Sequence, residues 1–149
     1  MIEVIPYKKE HAFSIYETNI RERDADIADD LDELSSAWER QGPAYTIIID
    51  GNIVFCGGFI LMGWDRAEAW TLMSELFYKY PKACFKICRD YTNKIVNEYG
   101  LKRVQAIIDV DFEAGVRFAE RLGFEEEGLL KAYGPDGENM LMFSRRIQC

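Results

Sequence analysis

Two runs rich in β-branched and aromatic residues, 44–49 and 53–62, are separated only by Asp50-Gly51-Asn52. Asp-Gly between such runs is a strong signal for an antiparallel hairpin, because a tight hairpin turn needs backbone angles that these residues tolerate. A third strand run, 67–74, follows across Gly63-Trp64-Asp65. The middle of the chain is therefore committed to a sheet, and the flanking segments have to be read around it.

Residues 3–6 form a short apolar start that suits an edge strand, and Ala12, Phe13, Ile15 and Tyr16 point to a first helix over 8–19. In 24–40, Ile27, Leu31, Leu34 and Trp38 recur at helical spacing, with Asp24 as a plausible N-cap and Gly42-Pro43 as the stop. Residues 81–99 read as a long helix with Ala83, Ile87, Tyr91, Ile95 and Val96 inward, ended by Gly100. The mostly apolar run 103–110 fits a central strand with both faces covered. A shorter helix over 112–122 closes on Gly123, and 124–133 with 139–147 form a last hairpin around Gly134-Pro135-Asp136-Gly137. With 149 residues and no internal repeat or long linker, the expectation is one domain over 1–149. Its class is α+β, with one mixed sheet.

Hydrophobic residues make up 48% of the chain, enough for a packed core. The longest uncharged run, 51–64, is too short and glycine-broken to span a bilayer. Met-Ile-Glu-Val-Ile at the start lacks the basic-then-apolar pattern of a secretory signal, so a cytoplasmic location is expected. Net charge is −8, but residues 1–50 hold five basic against twelve acidic side chains, whereas 78–103 carries seven basic and only two acidic ones. That asymmetry suits a site meeting cationic and anionic groups from different sides, although solvated helix faces give the same pattern. Duplex nucleic acid needs a dominating basic surface and is not expected as a partner.

Cys56, Cys84, Cys88 and Cys149 make no CxxC pair, and His11 is the single histidine, so no metal site is expected. Cys84 and Cys88, four apart on a helix, share a face and read as core.

The segment from Gly115 to Leu130, with its Leu122-Gly123-Phe124 step and Glu127-Gly128 pair, and the closing Tyr133-Gly134-Pro135-Asp136-Gly137 turn carry a family resemblance. They resemble the matching segments of the GNAT acyltransferases, which move an acyl group from coenzyme A to an amine. The order of elements is similar over nearly the whole chain, the residues only over 103–146. Within that family the pattern also resembles a branch carried by tailed phages and prophages. The resemblance implies a central sheet of about seven strands flanked by about four helices, acetyl-CoA as co-substrate, and no metal. It also implies direct transfer to a primary amine: a small molecule, a protein N-terminus or a lysine.

In that family a Gln/Arg-x-x-Gly-x-Gly/Ala loop binds the pyrophosphate. The matching stretch here is Tyr78-Lys79-Tyr80-Pro81-Lys82-Ala83, which keeps the final small residue and puts proline at a glycine position. Proline suits a first helical turn but donates no N–H. Lys79 and Lys82 supply charge in compensation, with Ala83 beside them. The resemblance places pantetheine along Leu72, Met73 and Ser74, which read equally well as ordinary strand residues. It implies a glutamate base about ten residues before the loop, where Glu68 stands between Ala67 and Ala69. A carboxylate on an otherwise apolar strand suits proton removal, though an exposed strand-start residue reads the same way. Glu75 and Asp109 are the reserves. The family's tyrosine acid falls on Ala119, so Tyr133 is the substitute donor. The acidic stretch 24–33 lies where the family covers its acceptor. Residues 140–143, Met-Leu-Met-Phe, offer either a strand edge for a homodimer or a two-sided buried strand. The altered loop and the missing tyrosine also suit a non-catalytic binding or assembly module on the same fold, with weakened or lost coenzyme A binding.

Overall fold

The computed structural model describes residues 1–18 and 31–147. The acidic positions 24–30 lie outside the described residues. Chain order is β1 (Ile2–Pro6), α1 (Lys9–Thr18), α2 (Leu31–Arg40), β2 (Ala44–Ile49), β3 (Asn52–Gly63) and β4 (Arg66–Met73). A 3-10 turn (Glu75–Lys79) leads into α3 (Pro81–Tyr99), β5 (Arg103–Asp109), α4 (Glu113–Arg121), β6 (Glu125–Leu130) and β7 (Met140–Arg146). The strands form one seven-stranded mixed sheet in the order β1-β2-β3-β4-β5-β7-β6. All described neighbour pairs are antiparallel except β4–β5, which is parallel.

The chain packs as two compact units, Met1–Leu61 with Ala69–Cys88, and Met62–Glu68 with Arg89–Cys149. In the first unit the expected hairpin forms through Asp50 and Gly51, with φ of 50° and 81°. Both values lie in the left-handed region, as a two-residue type I′ turn requires. A β-bulge between Ile47 and Ile48 shifts the β2–β3 register. Ile47, Val54 and Phe55 are fully buried. Phe55 packs against Tyr45 and Phe77, with ring centroids 5.6 and 5.5 Å away. A second cluster joins Tyr7, Ala12, Ile15, Leu31, Cys56 and Leu72, where Trp38 stacks on Trp70 at 4.4 Å. On α2 the fully buried place falls to Ser35 rather than Leu34, because the Tyr7 hydroxyl donates to the Ser35 carbonyl at 3.2 Å. That carbonyl contact requires close approach, which a small residue permits.

The long helix has the bounds that Pro81 and Gly100 mark, and its inward stripe holds at Ile95 and Val96 but is displaced by one position before them. Cys84, Cys88, Thr92, Ile95 and Val96 are buried, while Ala83, Ile87 and Tyr91 are half-exposed. Small apolar cysteines fill the core, as expected of that pair. Burial pushes the thiols of Cys84 and Cys88 up to about 11 and 12.

In the second unit β5 pairs with β4 through Arg66–Arg103, Ala67–Val104 and Glu68–Gln105, and with β7 over its whole length. The expectation for β5 needs correction: it is an interior strand, but most of its residues are half-exposed within the fold. Of the two alternatives for 140–143, the strand edge does not form: β7 is hydrogen-bonded on both sides, by β5 and β6, and its residues there are half-buried or buried. The edge strand there is β6, which presents Glu125, Glu126 and Glu127. Charged side chains on an edge discourage pairing with a second chain. The last hairpin is also shorter than its apolar pattern. β6 ends at Leu130, since Ala132 takes φ of 52° and donates its N–H to the Asn139 side chain.

Candidate active site

In the first unit, Leu72, Met73, Ser74, Lys79, Lys82 and Ala83 lie along one run from the end of β4 into α3. Ser74 is buried and fully engaged. Its N–H and its hydroxyl both donate to the Val54 carbonyl, and its Oγ accepts from Leu76 N–H at 3.2 Å. Ser74 therefore ties the end of β4 to β3 and caps the 3-10 turn. Leu72 is buried and Met73 half-buried. Glu75 is exposed in the first turn of the 3-10 segment.

Pro81 occupies the first position of α3, where its lack of an N–H costs no helical hydrogen bond. Cys84 N–H returns to the Tyr80 carbonyl at 3.1 Å, which leaves the N–H groups of Lys82 and Ala83 without an intrahelical acceptor. No acidic residue stands in the first turn of this 19-residue helix, and Lys79 and Lys82 are exposed beside it. Free N–H groups, the positive end of a helix dipole and two lysines favour an anion such as a diphosphate.

In the second unit, the register builds two rows on one sheet face. Arg66, Arg103 and Arg146 stand side by side on β4, β5 and β7; the next row is Glu68, Gln105 and Ser144. Gln105 Nε2 donates to Glu68 Oε1 at 3.1 Å, and Arg103 Nε donates to Gln105 Oε1 at 3.3 Å. Arg103 also grips Glu127 with two parallel bonds of 2.8 and 2.7 Å. The Ser144 hydroxyl donates to Glu127 Oε2 at 2.8 Å. Glu127 is the extra residue of a β-bulge, since Glu126 faces Phe143 and Gly128 faces Met142. Bulges commonly re-aim a side chain in this way. Its carboxyl is held at about 2, far below the usual carboxylate range, first by the Arg103 bonds and then by Ser144.

Three like charges in a row would repel. Glu127 answers Arg103, and Glu125 answers Arg146 at 2.9 Å. Arg66 lies over the Trp64 ring at 5.2 Å and makes no ion pair among the described residues.

Tyr133 is 58% exposed in the β6–β7 connection. The β7 residue at that end, Met140, pairs with Asp109, four positions along β5 from the level of Glu68. That is about 13 Å of strand. Glu68 and Tyr133 are thus held at different levels of the sheet. Asp109 is buried, and its Oδ1 accepts from Asp111 N–H at 2.8 Å in the turn leading to α4. Gln105, Arg103, Glu127 and Ser144 were not read as site residues from sequence. The signals were a glutamine inside an apolar strand and the Glu127-Gly128 pair closing an acidic triplet.

The described residues contain no group of three His, Cys, Asp or Glu that could hold a metal ion, and no helix long and apolar enough to cross a membrane. The Cys56 thiol, pushed up to about 12 by burial, is no nucleophile.

Known structures match this arrangement over its full length. The ribosomal-protein-S18-alanine N-acetyltransferase from Escherichia coli has a TM-score of 0.76 and 12% identity, covering 100% of this chain and 96% of that one. An acetyltransferase of the GNAT family from Streptococcus pneumoniae gives 0.72 and 11%, covering 99% and 100%. A spermidine N-acetyltransferase chimera from Vibrio cholerae and hSSAT gives 0.74 and 13%, covering 97% and 95%. The chain has the GNAT fold. No protein-family model matches the sequence, and no curated protein matches it. At these identities the GNAT fold is what the likeness establishes. Pro81 is the first residue of α3, and Ala119 is buried on α4.

Proposed function

We propose that this protein is an N-acetyltransferase that moves an acetyl group from acetyl-CoA to a primary amine by direct transfer. The observation that carries the reading is the GNAT fold over the full chain, shared with solved N-acetyltransferases. The α3 start supports it, because its free N–H groups and lysines fit a diphosphate. In this reading the Lys82 and Ala83 N–H groups hold the pyrophosphate, with Lys79 and Lys82 adding charge. The backbone of Leu72 and Met73 lines the pantetheine arm, and Ser74 fixes the strand end rather than binding. Acetyl-CoA supplies a thioester whose carbonyl an amine can attack. Glu68 takes the proton that the acceptor ammonium must lose before its nitrogen is nucleophilic, directly or through water. Tyr133, or water, returns a proton to the departing sulfur. The acceptor is a small amine, a protein N-terminus or a lysine, and the setting is cytoplasmic.

The second reading, a non-catalytic binding or assembly module of phage type, is favoured by the buried Ala119, where no side-chain acid can stand. A thermal-shift titration separates the two. At a hundredfold excess over Kd, acetyl-CoA adds about 2.7 kcal/mol of stability, a rise of roughly 5 to 10 °C for a chain this size. Adenosine 3′,5′-bisphosphate gives a smaller rise. No shift with millimolar acetyl-CoA rejects the transferase reading.

A further inference from the structure

The amide of Gln105 has two ends that are not interchangeable. Arg103 Nε can only donate, so it fixes Gln105 Oε1 on its side at 3.3 Å. The NH2 end is thereby turned to Glu68 Oε1, 3.1 Å away. Arg103 is itself fixed by the two-bond contact with Glu127, whose second partner is Ser144. A run of defined donors and acceptors therefore leads from the bulge in β6, across β7 and β5, to one carboxylate oxygen on β4.

We infer that Gln105 is a positioning residue for Glu68, and that the Glu127–Arg103 pair sets the orientation of its amide. This rests on the reading of Glu68 as the base. A base must present a lone pair in a fixed direction. One Glu68 oxygen is held by Gln105, and the other is left for the proton.

Glu127 also pairs the Arg103 charge on this face. The other charged groups on this face are Arg66 on the same strand as Glu68, Asp109 at the far end of β5, Arg146 on β7 and Glu125 on β6. α3 and α4 reach the opposite face, where Arg145 bonds Asn93 Oδ1 and the Leu122 carbonyl.

The test is steady-state kinetics of the full-length protein. Gln105→Met removes the donor and lowers kcat about tenfold with KM within twofold. If Gln105→Met does not fold, Gln105→Glu, whose carboxylate cannot donate to Glu68, lowers kcat likewise. Glu127→Gln, which loosens the hold on Arg103, lowers kcat in the same direction by a smaller factor. A loosened structure alone raises KM as well. A kcat within twofold of wild type in the folded Gln105 variants, or a loss carried mainly by KM, overturns the inference. Failure of the base reading itself shows elsewhere, as an undiminished rate in Glu68→Gln.

Discussion

Lys82→Glu separates cofactor binding from helix stability, because the two respond with opposite sign. Lys82 is exposed in the first turn of α3, a turn with no acidic side chain. Two unit charges about 4 Å apart in a water-like medium interact by about 1 kcal/mol. The substitution changes the charge by two, against about two charges on a diphosphate, which sets a ceiling of about 4 kcal/mol. Screening at physiological salt roughly halves this. The expected loss is about 2 kcal/mol, or about thirtyfold in the Kd for acetyl-CoA. The same glutamate faces the positive end of the helix dipole and adds about 0.3 to 1 kcal/mol to the free protein. Its Tm therefore stays level or rises by roughly 1 to 3 °C. Calorimetric titration at low and high salt measures the first effect, and thermal melting without ligand the second. Unchanged affinity for acetyl-CoA in a folded Lys82→Glu protein refutes the placement of the diphosphate.

Glu68→Gln keeps an oxygen for Gln105 to donate to while removing the base, so kcat falls by about 10²- to 10⁴-fold with little change in KM. A rate within twofold of wild type, followed by thiol release, removes Glu68 from the mechanism. His11 Nδ1 accepts from Lys8 N–H at 3.1 Å and lies 2.8 Å from Thr46 Oγ1, and burial lowers its pKa from the ordinary 6.5. The folded state thus binds fewer protons, and stability is lost as pH falls through 6.5 towards the lower folded value. Urea unfolding at pH 7.5 and about 5.5 reads the loss, and a His11→Gln protein with the same pH slope contradicts its source. Phe55→Ala empties a site only 1% exposed between Tyr45 and Phe77 and costs about 3 to 5 kcal/mol. A loss below about 1 kcal/mol in urea unfolding contradicts that packing.

Local chemistry made much of the fold readable. Asp50-Gly51 marks a turn that few other pairs can make, and Pro81 and Gly100 bracket α3 at both ends. What stayed hidden depends on residues far apart in the chain. The choice between an edge and an interior place for β7 was left open by the sequence and is made by pairings across more than thirty positions, such as Asp109 with Met140. Ile95 and Val96 of the α3 stripe were legible, as was the Cys84–Cys88 face; Ala83, Ile87 and Tyr91 fell one residue off because Cys84, Cys88 and Thr92 occupy the buried line. Glu68 was legible as a carboxylate on a strand. Its neighbours were not, because Gln105 and Ser144 join it only through sheet register, and Glu127 only through a bulge. The α3 start was legible as a basic run with one proline; the free N–H groups became apparent only once the helix began at Pro81.

The most direct test of the central claim is to incubate the protein with acetyl-CoA and a panel of primary amines, including polyamines, lysine and peptides with free N-termini. The products are read by mass spectrometry beside Glu68→Gln. The account predicts at least one amine acetylated in a time- and protein-dependent way, with the product strongly reduced in the variant. Absence of any acetylated amine from protein saturated with acetyl-CoA would contradict it.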